Sequence, residues 1–448
     1  MQTDMTVGKP MKMLLNFTIP VFLGNVFQQL YSMADAVIVG KFVGTKGLAA
    51  VGATGTITFL IIGFLMGVTT GVTVLTSQKF GAGRMDEMRK TVGNAAILSA
   101  VIAVVMTAVS MLGMHRLLVF MHTPEDIFDG AYGYIMIICA GIFTQVLYNL
   151  VSSILRALGN SKTPLYFLIL AAGLNIVLDL VFIIFFHWGA PGAAWATVIS
   201  QGVSGVLCLI YMWKAVPELK MKKEDWYFNR DIAVKQISVG IPMGLQFSIT
   251  AIGTIIVQSA VNIYGATYMA GFSAAGKIQN IIGMVAVSMG ATIATYVGQN
   301  RGADRMDRVK QGVKYSWIML LIWSGIEMLL VYFGGKYFTY LFISPSQTDV
   351  IQVSVTYFRT VFWAYPFLCT IFVFRNALQG MGYGLVPMLG GVFELVARAA
   401  IVLLVAGRTS FAGVCLADPM AWIAALIPLI PYYFYVMKYR QNRAYNIK

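Results

Sequence analysis

The strongest constraint on this 448-residue chain is a series of long runs that carry almost no charge. From Leu165 to Phe186 the only charged side chain is Asp179. A segment of that length and character spans a bilayer as a helix, because hydrocarbon offers no partner to an open peptide group. Twelve such runs are read, at approximately residues 14–40, 49–78, 91–113, 131–155, 164–186, 191–214, 237–263, 269–298, 313–333, 351–376, 384–406 and 411–437. They are apolar on all sides, without the one-faced 3.6-residue pattern of a surface helix or the period-2 alternation of a membrane barrel. Charged residues make up 11% of the chain, against about 25% in soluble domains, and mean hydropathy is +0.75. The expected fold is an all-α integral membrane protein of twelve helices.

Net charge is +14, which by itself would also suit a nucleic-acid binder. Its distribution argues for topology instead. Of 32 Lys and Arg, 24 are assigned to loops or tails on one side of the membrane, including six from Lys214 to Lys235, five from Arg301 to Lys314, and Arg375. Five (Lys41, Lys46, Arg116, Lys336 and Arg408) fall on the other, and Lys277, Arg359 and Arg398 lie within or at the edge of spans. Positive loops stay inside, so both termini are expected in the cytoplasm of a multi-pass cell-membrane protein. The first run is too long for a cleavable leader and reads as the first span. Cys139, Cys208, Cys369 and Cys415 show no metal or redox spacing and are expected as small buried residues.

The two halves repeat each other. Gln78-Lys79-Phe80-Gly81-Ala82-Gly83-Arg84-Met85-Asp86 returns as Gln299-Asn300-Arg301-Gly302-Ala303-Asp304-Arg305-Met306-Asp307, at an offset of 221 residues. Ile19-Pro20 returns as Ile241-Pro242 at 222, and Leu155-Arg156 with Gly159 and Pro164 returns as Leu378-Gln379 with Gly382 and Pro387 at 223. Six spans per half place the repeats parallel, around a pseudo-twofold axis along the membrane normal, as in transporters that rock one half against the other. The expected divisions are an N-lobe (1–214), a cytoplasmic linker (215–236) and a C-lobe (237–448).

A carboxylate in hydrocarbon is costly enough to mark function by default. Asp35 lies in the first run, and Asp179 lies one helical turn from Asn175 in the fifth. The C-half counterparts are Ile256 or Val257, Val402 and Arg398, so cation coupling is expected in the N-half. Two neighbouring carboxylates in low dielectric cannot both stay ionised cheaply. A proton or Na⁺ would neutralise the pair and favour one packing, with Pro20 as a hinge because it removes a hydrogen bond from the first span. The plain alternative is a buried knot that only locks helices together. The C-half carries Lys277, Glu327, Glu394 and Arg398; the last two are spaced to pair on one face, and Lys277 either neutralises Glu394 or tunes substrate entry. Glu327 is expected as a snorkelling or locally paired acid, and His115, His122 and His187 near loops carry no proton-transfer role.

Taken in order, Gln28-Gln29-Leu30-Tyr31, Asp35, Val39-Gly40, Leu155-Arg156-Ala157-Leu158-Gly159-Asn160-Ser161-Lys162-Thr163-Pro164, Leu174 to Asp179 and Gly192-Ala193-Ala194-Trp195-Ala196-Thr197 resemble the multidrug and toxic compound extrusion (MATE) family over essentially the whole chain. That resemblance implies a two-lobed exporter of drug-like, often cationic compounds in exchange for H⁺ or Na⁺. It implies a coupling site of Asp35, Asn175, Asp179 and Thr197, with Asp35 and Asp179 as metal ligands only if Na⁺ is the ion. Thr197 can equally bond back to its own helix. Gln28, Tyr31 and Asn149 are expected as outer members of the cluster or cavity. Spans seven and ten carry no acid for a C-lobe Na⁺ site, only Gln246 and Thr250 in span seven. Lys277, Glu394 and Arg398 remain candidates for the C-lobe cavity. No cofactor beyond the coupling ion is expected, and the chain is expected to act as a monomer on small molecules within the bilayer. The runner-up is a flippase of lipid-linked oligosaccharide, which by resemblance would have more spans and a basic cavity. No HExxH, GxSxG, paired-His or Walker pattern supports an enzyme or an ATP-driven pump, and no filter signature supports a channel.

Overall fold

The computed structural model describes residues 3–121, 123–405 and 410–445, with side chains to Tyr439. His122, Arg408 and Lys448, and the side chains of Arg440 and Arg443, lie outside the described residues. Every regular element among those described is helical. Eleven helices are long and apolar enough to cross a membrane, and one bent pair makes a twelfth span. In chain order they are Pro10–Val43, Thr45–Gly81, Met85–Phe120, the pair Glu125–Ala140 with Ile142–Ala157, Lys162–Phe185, Gly189–Ala215, Arg230–Asn262, Ala266–Gly302, Met306–Thr339, Thr348–Gly380, Leu385–Val405 and Phe411–Tyr439. The expected fold class holds.

The fourth span, read from sequence as one run, is broken by 46° around Gly141. A Cβ at Gly141 would come within 2.3 Å of Val198 Cγ2 on the sixth span, so the break lies where two helices nearly touch. The tenth span is interrupted at the corresponding place, by a 3₁₀ turn over Phe362–Ala364 with Pro366 opening the helix that follows. Pro is favoured there because its missing N–H is not needed in a first turn.

The chain packs into two compact units, one of residues up to Met5 with Ile19–Gly244, the other of Thr6–Thr18 with the residues from Leu245 onward. The divisions fall inside the first and seventh spans, beside Pro20 and Pro242. Within the first unit, the start of the seventh span crosses the second span glycine on glycine. A Cβ at Gly71 would meet Gly240 Cα at 2.5 Å, and one at Gly67 would meet Gly244 Cα at 2.7 Å. Small residues four apart on each helix let the backbones approach this closely, the usual glue of helices in lipid. The segment 215–236 packs on the same unit. Arg89 Nε lies 3.5 Å from Asp225 Oδ2, Asn229 N donates to Asn94 Oδ1 at 2.9 Å, and Gln236 Nε2 donates to both Val72 O (3.0 Å) and Thr91 O (2.8 Å). A stretch expected as a linker thus fastens to the second and third spans.

The repeat is written in the backbone as well as the sequence. Positive φ recurs at Gly44 (90°) and Gly265 (93°), at Gly83 (69°) and Asp304 (56°), and at Gly159 (82°) and Gly382 (84°). Each of the last four ends a helix through the same bond. Arg84 N donates to Lys79 O as Arg305 N does to Asn300 O, and Asn160 N donates to Leu155 O as Tyr383 N does to Leu378 O. Such left-handed caps collect carbonyls that the helix end leaves open. Asp is one of the few non-glycine residues that tolerates the conformation.

Candidate functional site

Asp35 lies near the end of the first span, and the helix continues past it as a π turn over Val39–Val43. Asp179 stands at the matching place in the fifth span, just ahead of a second π turn over Val181–Phe185. Inserted π turns are rare and concentrate at functional sites. Ile38, Val39, Ile183 and Ala193 form one apolar cluster that holds these turns and the sixth span together beside the acids. One helical turn before Asp179 is Asn175, and the sixth span brings Thr197 and, one turn on, Gln201.

These side chains meet. Asn175 Nδ2 donates to Thr197 Oγ1 at 3.4 Å, and Thr197 Oγ1 donates to Asp35 Oδ2 at 3.4 Å. Both bonds are long. Asp35 and Asp179 interact directly, and Tyr31 stands beside Gln201 within the field of both acids. Asp179 is 0% exposed and Asn175 1%. No Lys, Arg or His forms an ion pair with either acid among the described residues. Four buried oxygens, Asp35 Oδ1, Asn175 Oδ1 and both of Asp179, have no hydrogen-bond donor. All four are acceptors, so what the cluster lacks is protons or a cation rather than more polar groups.

The structure therefore joins Asp35, Asn175, Asp179 and Thr197 as expected, with Tyr31 at their edge. It forms no hydrogen bond from the Gln28 or Asn149 side chain to them; Gln28 accepts Ser32 Oγ through its carbonyl. Gln201 and Tyr134 are neighbours of the cluster that the sequence reading missed. The i, i+4 spacing from Thr197 was the available signal for Gln201.

The second unit holds a different arrangement, and two expectations change there. Arg375, assigned to a loop, lies within the helix Tyr365–Gly380, is 7% exposed, and pairs with Glu394. Glu394 also lies 3.6 Å from Arg398 Nη1, as the spacing predicted, but Arg398 Nε binds Asp418 Oδ1 at 3.1 Å. Tyr357 donates its hydroxyl to Asp418 Oδ2 at 3.0 Å and also bonds Gln279. Two cations and two acids thus close a neutral chain across three spans. Lys277 does not neutralise Glu394: it is exposed, with Nζ 5.5 Å over the Phe342 ring. Of the two readings for Glu327, local pairing holds and snorkelling does not: it is 1% exposed and accepts from Trp323 Nε1 at 2.6 Å, with Cys369 Sγ at 3.8 Å from its other oxygen. Gln246 is tied to Gln379 Nε2 at 2.9 Å. The four cysteines are buried and unpaired.

The MatE family profile matches residues 20–181 and 242–425, once on each half. The chain belongs to the MatE family. Among MatE-family relatives, it is 30% identical over 381 residues to the "Probable multidrug resistance protein YpnP" of Bacillus subtilis (strain 168), covering 85% of this chain and 84% of that one. It is 26% identical over 436 residues to the "Probable multidrug resistance protein YoeA" of the same organism, with 95% and 94% covered. The fold matches that of a crystallised MATE protein in complex with MaL6 at a TM-score of 0.91 and 22% identity, over 98% of this chain and 99% of that one. The two MatE matches begin at Pro20 and Pro242, the same paired prolines beside which the compact units divide.

Proposed function

We propose that this MatE-family protein is a secondary-active exporter of organic, mostly cationic compounds, driven by inward movement of H⁺ through the cluster of Asp35, Asn175, Asp179 and Thr197. The observation that carries this reading is the set of four buried acceptor oxygens with no hydrogen-bond donor, in a cluster where no basic side chain pairs with either acid among the described residues. A single proton on either acid turns a carboxylate oxygen into a donor for its neighbour and removes the repulsion in the same event. Na⁺ is the second reading, because hard oxygens of two carboxylates, an amide and a hydroxyl suit an alkali cation. Loading the site removes negative charge, so a cationic substrate and the coupling ion exclude one another, which is the linkage antiport needs. The relatives named as multidrug resistance proteins support the substrate class. Both termini are cytoplasmic in this reading, from the bias of Lys and Arg. A lipid-pyrophosphate substrate fits poorly, since the cluster offers no basic group.

The test is dye uptake into inverted vesicles, the direction that corresponds to export from the cell, under an imposed pH gradient and, separately, an imposed Na⁺ gradient. Asp35→Asn and Asp179→Asn should each bind ethidium yet lose export by roughly tenfold or more, and the gradient that drives the parent protein names the ion. Normal export by both variants would assign the acids to packing alone.

A further inference from the structure

A second site lies in the other unit, at the turn joining the ninth and tenth spans. A cavity of about 490 Å³ opens there, lined by Lys336, Arg359, Tyr332, Tyr337, Tyr340 and Gln352 among apolar residues. Its lining contains two cations and no acid. Neither Lys336 nor Arg359 forms an ion pair with any carboxylate among the described residues. Arg359 is placed on the helix Thr348–Val361, inside a candidate membrane span, where an unpaired guanidinium is costly unless an anion or water meets it. The buried Arg375 and Arg398 of the same unit both have carboxylate partners, whereas Arg359, like Lys277 and Lys336, is exposed and pairs with none among the described residues.

The walls add the second half of the argument. Tyr332 packs on Phe362 with ring centroids 5.2 Å apart, and Tyr337 meets Tyr340 edge to face at 6.0 Å. Tyrosines with an apolar body and a polar tip mark the membrane–water boundary. Phe333, which is 70% exposed, and the half-buried Val355 offer an apolar side, with Val331 and Ile351 buried beneath them. We infer that this cavity binds the head group and glycerol of an anionic phospholipid, with the phosphate between Lys336 and Arg359 and the acyl chains leaving along the apolar wall. Guanidinium and phosphate match in geometry as well as charge, and the neighbouring ammonium adds a point charge. Surface charge alone would hold a soluble phosphate as well, but the aromatic and aliphatic walls favour a ligand that is anionic at one end only.

Native mass spectrometry of the full chain in detergent tests this, with phosphatidylglycerol, phosphatidylcholine and sn-glycerol 3-phosphate as probes. Phosphatidylglycerol should be retained over phosphatidylcholine. The double variant Lys336→Gln, Arg359→Gln should bind it roughly thirtyfold more weakly, about fivefold for each charge. Arg359→Lys should keep most of the binding, and sn-glycerol 3-phosphate should fail to displace the lipid. Unchanged phosphatidylglycerol binding by the double variant overturns the site, as does equal retention of phosphatidylcholine. Displacement by glycerol phosphate at matching concentration overturns the lipid assignment and leaves a site for soluble anions. If the double variant does not purify folded, as judged by its melting curve, each single variant carries the test with a loss of about fivefold.

Discussion

Glu394 sits between two guanidiniums, and Asp179 has none; that contrast gives the two groups of buried charge different expected responses to substitution. Removing one partner of a buried ion pair leaves an uncompensated charge and costs about 3–5 kcal/mol. Arg375→Met should therefore lower the melting temperature in detergent strongly. Asp179→Asn, which takes away a charge that nothing pairs, should leave stability unchanged or raise it while export fails. A large loss of stability in Asp179→Asn would place that acid with the packing network. Asp35 and Asp179 were legible from sequence because an acid within an apolar run stands out, and Asn175 because it lies one helical turn from Asp179. Arg375 was not, because a charge near the end of such a run looks the same whether it faces water or a buried Glu394. Asp418, seven residues from one end of its run as Asp179 is from one end of its own, carried the same signal and was missed.

Between elements, some of the tightest approaches are made where side chains are absent. Gly67 and Gly71 press against Gly240 and Gly244 with backbone atoms at 2.5 to 2.9 Å from a built Cβ, and backbone cannot step aside as a flexible side chain can. Gly71→Ala should destabilise by about 1–3 kcal/mol, the usual cost of overpacking. Gly52→Ala, where a Cβ meets nothing within 4 Å, should be neutral or slightly stabilising through its better helix propensity. Paired melting curves check this, and equal behaviour of the two variants would remove the glycine crossing as a structural contact. The twelve spans were readable because apolar length leaves few alternatives. The break at Gly141 and the π turns were not, since neither changes the charge or hydropathy of its run.

At the scale of the whole molecule, the repeat holds in geometry where it fails in chemistry. Gly83 and Asp304 share a left-handed backbone and the same helix-ending bond, and Gly159 and Gly382 do likewise. By contrast the repeat puts Val402 where Asp179 stands in the first half, and Arg398 in the place of Asn175. Grafting residues 300–306 in place of 79–85 should therefore give a chimera that folds and exports dye, measured by yield of folded protein and by transport. Failure to fold would mean the two turns are matched to their own surroundings. Success would make them spare parts of one design. The paired caps then have a consequence for how such a protein can change: a duplicated scaffold that sets its turns by backbone alone leaves the charges of each copy free to diverge, so one half can come to handle ions while the other takes up a different task.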